Sequence, residues 1–148
     1  MKDFHIIGWR ERIDLPQWKI QGLLAKSDTG ANSSAIDVAW LEELPEERVR
    51  FGVRCSQKDP QKIREIEAPV LRRTRIRSSN GQRAHRIFVI TKMRIGVVSK
   101  RVEFGLVCRK NMICRVLLGR KALEGDFLVD CSERHIHARA TETKSELR

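Results

Sequence analysis

Short runs of β-branched and other apolar residues, each soon broken by glycine, proline or asparagine, are the feature that most restricts the fold of this chain. Helical periodicity is scarce by comparison. Such runs are typical of strands joined by tight turns, and 148 residues are enough for one domain with its own hydrophobic core. The sequence therefore predicts an all-β domain over residues 1–140, followed by a polar C-terminal tail over residues 141–148.

Individual elements are predicted where this pattern is clearest. Strands are expected at residues 4–9, 20–26, 87–93, 97–107, 116–119, 127–130 and 135–138, with two or three more inside residues 48–77. Residues 13–16 are predicted as a turn, and residues 35–44 fit either a strand or a short helix. The one helix predicted runs from Arg120 to Glu124 and is closed by Gly125.

Positive charge is concentrated in the middle of the chain. The net charge is +11, but residues 1–47 carry −4, residues 48–121 carry +17 and residues 122–148 carry −2. A segment this basic attracts anionic partners. Nucleic acid and an acidic peptide both fit the charge, which by itself does not separate them.

Export and membrane insertion are not expected. The sequence has no apolar run near the roughly 20 residues that span a bilayer, and its first residues lack the apolar core of a signal peptide. The four cysteines form no C-x-x-C pair and are predicted to be reduced thiols; they are Cys55, Cys108, Cys114 and Cys131. A cytoplasmic location is therefore expected.

A single Asp-Thr-Gly lies where the strand pattern stops. An apolar strand leads through Ser27 into Asp28-Thr29-Gly30-Ala31, and a later apolar run, Leu117-Leu118-Gly119-Arg120, opens the short helix. Asp-Thr-Gly alone is a weak motif, and the plain alternative is that Asp28 caps a turn, as Asp often does before Gly. Its position after an apolar strand, with Leu-Leu-Gly-Arg downstream, makes the pattern far more specific.

In this order of elements the sequence resembles the retroviral-type aspartic peptidases. It is more similar still to the bacterial retropepsin-like family often described as ATP-dependent zinc proteases, which is found alongside a glutamate ligase of the ATP-grasp type. The matching pieces lie between about residues 6 and 130 and are Ile7-Gly8-Trp9-Arg10, Ala25-Lys26-Ser27-Asp28-Thr29-Gly30-Ala31, Ser78-Ser79-Asn80-Gly81, Leu117-Leu118-Gly119-Arg120-Lys121-Ala122-Leu123 and Phe127-Leu128-Val129-Asp130. The resemblance implies a retropepsin-like closed barrel with one short helix that works as a homodimer, with a glutamate ligase as an associated partner.

The chemistry of an aspartic peptidase explains these residue types. Hydrolysis of an amide without a metal needs a base to activate water and an acid to protonate the leaving nitrogen. Two carboxylates about 3 Å apart share one proton and supply both functions. Because the chain has one such motif, a two-fold axis must bring a second Asp28. By the resemblance, Thr29 bonds across that axis and Gly30 shapes the turn, so Asp28, Thr29 and Gly30 are the expected catalytic residues.

Substrate contacts are expected from the catalytic loop, a hairpin tip and the start of the helix. In the family that the sequence resembles, a glycine-tipped hairpin closes over the substrate. Ser78-Ser79-Asn80-Gly81 is the best match, since Asn-Gly suits a type I′ turn. The expected substrate-binding residues are Ala31, Asn32, Ser79, Gly81, Arg83 and Arg120. Arginines near the hairpin favour an acidic peptide as substrate; the plain alternative is that they keep a solvated sheet edge soluble.

Two positions depart from the family pattern. Ser27 precedes the catalytic Asp, where an apolar residue is more usual. Asn32 stands where viral members carry an acid, so Arg120 is expected to lack the carboxylate partner that it has there. Both departures concern the surroundings of the catalytic group and leave the group itself in place.

No cofactor is expected. The sequence has neither an H-E-x-x-H motif nor a phosphate loop, so neither zinc nor ATP is expected to bind this chain. Cys131, His135 and His137 offer a partial set of zinc ligands, but a clear fourth ligand is missing.

Other functions stay open. A non-catalytic basic β-barrel would bind RNA through its Lys and Arg side chains, although a chain with no Tyr serves base stacking poorly. A non-catalytic dimer would instead hold acidic protein tails in the same groove. Asp28→Asn separates these alternatives, because it abolishes peptidase turnover, spares RNA binding and largely spares the binding of tails.

Overall fold

The architecture comes from a computed structural model that describes residues 3–56, 58–59, 61–77, 81, 83–108 and 113–137. Its strands are β1 (His5–Gly8), β2 (Arg10–Leu15), β3 (Ile20–Ser27), β4 (Ser34–Leu44), β5 (Arg48–Arg54), β6 (Ile63–Pro69), β7 (Arg72–Arg77), β8 (Arg83–Ile95), β9 (Val98–Val107), β10 (Val116–Leu118) and β11 (Phe127–Asp130). A 3-10 turn spans Pro16–Trp18, and the helix α1 spans Arg120–Leu123. In the part of the chain described, no helix is long and apolar enough to cross a membrane.

Six strands close into a barrel. They follow the order β10-β3-β2-β8-β9-β4, and β4 pairs back with β10. β10 is parallel to β3 and antiparallel to β4, so it lies between them. β5 and β6 extend the sheet from β4, β7 pairs with β8 as a hairpin, and β1 and β11 form a separate parallel pair. The prediction of an all-β closed barrel with one short helix is confirmed.

The barrel interior is filled by alternate residues of its strands. On β9 the interior positions include Val102 and Phe104, and on β8 they include Val89 and Met93, all of them buried. Successive side chains of a strand point to opposite faces, so the residues that alternate with these, such as Glu103, lie on the outer face. Residues 35–44, which fitted a strand or a helix, belong to strand β4.

Two predicted elements are wrong. Residues 13–15 belong to strand β2 rather than to a turn, because Glu11 occupies a buried position in that strand and so breaks the apolar alternation. The strand predicted at residues 135–138 does not form over its described residues, 135–137. His135 has a left-handed backbone with φ 53°, and its N–H donates to the Arg10 carbonyl at 2.7 Å. An extended strand cannot contain that conformation.

A buried ion cluster links β4, β5 and the residue before β10. The fully buried Asp37 accepts from Nη1 of Arg54 at 2.6 Å and from Nη1 of Arg115 at 2.8 Å. Breaking such a pair costs more than forming it gains, since the remaining charge stays buried. All four cysteines lie among the described residues and are free thiols, as predicted.

Candidate active site

Asp28 directly follows β3, in a loop that is closed on itself and attached to β10. Its N–H donates to the Leu118 carbonyl at 2.8 Å, and its own carbonyl accepts from the Ala31 N–H at 3.2 Å. Gly30 N–H donates to Asp28 Oδ1 at 3.2 Å. The carboxylate is therefore oriented by the Asp-Thr-Gly turn itself.

The start of α1 holds the other end of this loop. The backbone N–H of Arg120 donates to the Ala31 carbonyl at 2.8 Å, and that of Lys121 donates to the Asn32 carbonyl at 3.1 Å. Gly119 allows this approach, because a Cβ there would lie only 2.5 Å from the Ser33 carbonyl oxygen. A side chain at position 119 would therefore clash with the loop backbone.

Arg120 adds a side-chain bond to the same loop. Its Nη1 donates to the Thr29 carbonyl at 3.0 Å. Among the residues described, the bonding partner found for the Arg120 guanidinium is this backbone oxygen. The side chains of Arg120 and Asn32 are exposed.

The Asp-Thr-Gly turn is partly exposed to solvent in the single chain. Asp28 and Ala31 are half-buried, while Thr29 and Gly30 are exposed. The exposed side of the turn is therefore accessible to a peptide or to another subunit. The structure brings together the predicted residues Asp28, Thr29, Gly30, Ala31, Asn32 and Arg120.

The predicted hairpin is formed by β7 and β8. Their backbones pair as far as Arg77 and Arg83, the first residue of β8. Gly81 is exposed with φ 82°, a left-handed value that favours glycine. Ser79 lies outside the described residues, as do Ser78 and Asn80, so the predicted turn type stays a prediction.

Four hydrogen bonds made by three polar side chains near the loop were not predicted from the sequence. Ser27 Oγ donates to the Gly8 carbonyl at 3.3 Å, and Ser34 Oγ accepts from the Gly119 N–H at 3.0 Å. Glu11 Oε2 accepts from the N–H groups of Gly8 at 2.7 Å and of Ile136 at 3.0 Å. The one available signal was Ser27 itself, a hydroxyl at a position that is usually apolar.

The partial zinc set does not gain further ligands from the fold. Among the residues described, no three His, Cys, Asp or Glu side chains lie close enough to hold a metal ion. Burial, together with the positive charge of Arg12, lowers the pKa of His135. Hydrogen bonds from Ser132 lower the pKa of Asp130.

Comparison with known proteins gives one family and one fold. The family model described as RimB-like, "Retropepsin-like aspartic endopeptidase RimB", matches residues 6–140. The chain is 32% identical over 131 residues to a "Probable alpha-L-glutamate ligase" of Shewanella pealeana, covering 86% of this chain and 29% of that protein. A protein of the same description from Parasynechococcus marenigrum is 29% identical over 133 residues, covering 88% of this chain and 28% of that protein. The chain thus spans less than a third of these relatives.

A solved structure shows the same fold. The crystal structure of a Legionella pneumophila protein of unknown function superposes with a TM-score of 0.75 at 22% sequence identity. The superposition covers 90% of this chain and 98% of that one.

Proposed function

Because the chain belongs to the RimB-like family of retropepsin-like aspartic endopeptidases, we propose that it is an aspartic endopeptidase that works as a homodimer. One observation carries the proposal: Asp28 lies in a loop that β10 and α1 fix by hydrogen bonds, with Thr29 and Gly30 exposed beside it. A rigid carboxylate on an open surface suits a group that must meet both a partner carboxylate and a peptide.

The proposed reaction uses one proton shared by Asp28 of each subunit. The ionised carboxylate removes a proton from water as the oxygen attacks the peptide carbonyl carbon, and the protonated one donates a hydrogen bond to the carbonyl oxygen. The C–N bond then breaks as a carboxyl group gives its proton to the leaving nitrogen. This transfer restores the starting pair, and the carboxylic acid product releases the second proton of the water to solvent.

Exposed apolar residues support the dimer. Ile6 on β1 is 55% exposed, and its partner on β11, Leu128, is 54% exposed. Two large apolar side chains side by side on an outer sheet face gain stability when a second subunit covers them. The β1–β11 pair is therefore the proposed subunit contact.

An acidic peptide is the proposed substrate. Residues 72–95, which include β7 and β8, contain eight Lys or Arg and no Asp or Glu. The positive field of this hairpin favours substrates rich in carboxylates. The similarity to proteins named as glutamate ligases supports the same choice and makes such a ligase the proposed partner. Free cysteines suit the reducing cytoplasm, the proposed location.

Peptidase assays of wild type and Asp28→Asn on acidic and neutral peptides test this function. Cleavage by wild type should fall by about a thousandfold or more in the variant, because the shared carboxylate pair is lost. Asp59→Asn, a matched change in an exposed loop, should leave the rate unchanged. Cleavage that survives Asp28→Asn would contradict the proposal. A wild type that binds RNA and cleaves no peptide would favour the basic-barrel alternative.

A further inference from the structure

A row of small and aliphatic residues lies on the outer face of the sheet, beside the catalytic loop. Gly105 of β9 pairs with Ala35 of β4, and Ala35 pairs with Leu117 of β10. The residues at alternate positions, such as Phe104 and Leu118, are buried in the barrel. Paired residues on neighbouring strands point to the same face, so Gly105, Ala35 and Leu117 together face outward.

This row begins at the anchoring point of Asp28. Leu117 immediately precedes Leu118, whose carbonyl accepts the Asp28 N–H at 2.8 Å. Ala35 and Leu117 are half-buried, so their end of the row is accessible, whereas Gly105 is buried. Because an extended peptide advances roughly 3.3 Å per residue, a side chain one or two residues from a bond held at Asp28 reaches this row.

Arg86 lies across the row at Gly105. A Cβ added to Gly105 would be 3.2 Å from Cγ of Arg86 and 2.6 Å from its Cδ. Since Cδ is the closer atom, the stem of the half-buried Arg86 runs from β8 onto the outer face of β9 at Gly105. The missing side chain at Gly105 is what makes room for the stem of Arg86.

Arg72, another arginine on this face, is held by two described contacts. Arg72 stacks on the Phe88 ring at 3.8 Å and pairs with Glu103 at 3.6 Å. Arg75 and His85 form an exposed pair on the opposite face of the hairpin. Arg86 is the hairpin arginine whose stem the described residues place against the row. A guanidinium carries five N–H donors, so it can serve a protein partner and a substrate together.

We propose that Arg86 determines specificity by pairing with the side-chain carboxylate of an acidic residue bound over Ala35, beside the Arg86 stem that covers Gly105. The inference rests on the proposed peptidase function, which brings the peptide to Asp28. It deepens that function by naming the residue and the subsite that select the acidic side chain. Arg suits this task because its planar fork matches a carboxylate through two hydrogen bonds.

Arg86→Met tests the subsite, since it keeps the packing stem over Gly105 and removes the charge. The probes are C-terminally amidated peptides of alternating Glu and Ala, together with their Gln counterparts. Wild type should prefer Glu over Gln in kcat/KM by about 10- to 100-fold, the range of a lost charge-assisted bond. Arg86→Met should reduce that ratio to near one, whereas Arg75→Met, from the opposite face, should keep most of it. An unchanged ratio in Arg86→Met would overturn the inference.

Gly105→Ala gives a second, independent variant. Its new Cβ displaces the stem of Arg86 without removing the guanidinium, so the preference for Glu should fall while circular dichroism confirms the fold. Crystallography of the variant measures the displacement of Arg86. A preference that survives with Arg86 displaced overturns the inference.

Binding measurements separate this inference from the proposed function. The same peptides are titrated into Asp28→Asn and into Asp28→Asn/Arg86→Met, where no cleavage occurs. Preferential binding of the Glu peptide that is lost in the double variant would support the subsite even if wild type cleaves nothing. Equal binding of Glu and Gln peptides to Asp28→Asn would overturn the subsite even if wild type proves to be a peptidase.

Discussion

Arg120 attaches the helix to the catalytic loop through a backbone oxygen. Its Nη1 bond to the Thr29 carbonyl is 3.0 Å long, and it acts beside the bond from its own N–H to the Ala31 carbonyl. The backbone bond anchors the loop whatever the side chain is. The guanidinium therefore fixes the position of Thr29, next to the catalytic carboxylate, rather than the fold of the loop.

Arg120→Met is expected to lower kcat by about tenfold with little change in KM, since a hydrogen bond from a charged donor contributes about 1.5 kcal/mol or more. Arg120→Lys should recover part of kcat, because it keeps a charged donor. Steady-state kinetics on one peptide measure both values. Lys121→Met, on the exposed neighbouring residue, is the control. Equal kcat in wild type and Arg120→Met would show that the bond has no positioning role.

Single residues also mark the limit of what the sequence could predict about the site. Asp28, Gly30 and Arg120 belong to local motifs whose chemistry is visible in the residue types. Ser34 and Glu11 act through backbone groups that are far from them along the chain, such as Gly119 and Ile136. No local pattern encodes such partners, because they exist only after the strands have paired.

The strands themselves depend on a charged cluster at the junction of β4, β5 and β10. Asp37→Asn should destabilise the protein by about 3–5 kcal/mol, since it leaves two guanidinium groups buried without their carboxylate. Urea unfolding measures the change. Glu43→Gln is the matched control: it weakens an exposed pair with Arg73 at 2.9 Å, so its cost should be about 1 kcal/mol or less. Similar losses in both variants would show that burial of the cluster is unimportant.

The segment after β11 should make stability depend on pH. Burial lowers the pKa of His135 below its usual 6.5, so the unfolded chain binds the proton more readily. The stability that neutral His135 gives the folded chain is therefore present above pH 6.5, and it is lost as the pH falls toward the lowered pKa of the folded state. From neutral to mildly acidic pH, the unfolding free energy of wild type should therefore decrease more than that of His135→Asn. Asn is chosen because it tolerates the left-handed backbone at this position. Equal falls would exclude His135 as a cause.

Strand β2 and residues 135–137 show why the predicted strands were not all correct. Apolar alternation located most strands, because their buried faces are aliphatic. β2 was missed because Glu11 occupies one of its buried positions. Residues 135–137 alternate in the sequence but are held by backbone bonds to β2 and to Glu11, such as that from His135 to Arg10. Tertiary hydrogen bonding overrides periodicity at both places.

At the scale of the whole molecule, the account depends on a second copy of the chain. One chain supplies one Asp28, and the exposed Ile6 and Leu128 offer a surface for association. Ile6→Lys/Leu128→Lys should therefore shift the solution mass toward the monomer and reduce peptidase activity in parallel. Analytical ultracentrifugation over a range of concentrations measures the first effect. Full activity of a monomer would contradict the shared site.

The most direct test of the shared site is the activity of mixed dimers. Wild type and Asp28→Asn are mixed in equal amounts, exchanged by unfolding and refolding together, and assayed at a fixed total concentration. If each active site needs Asp28 from both subunits, random pairing leaves about a quarter of the activity of undiluted wild type. If each chain acts alone, half of the activity remains, and that result would contradict the account.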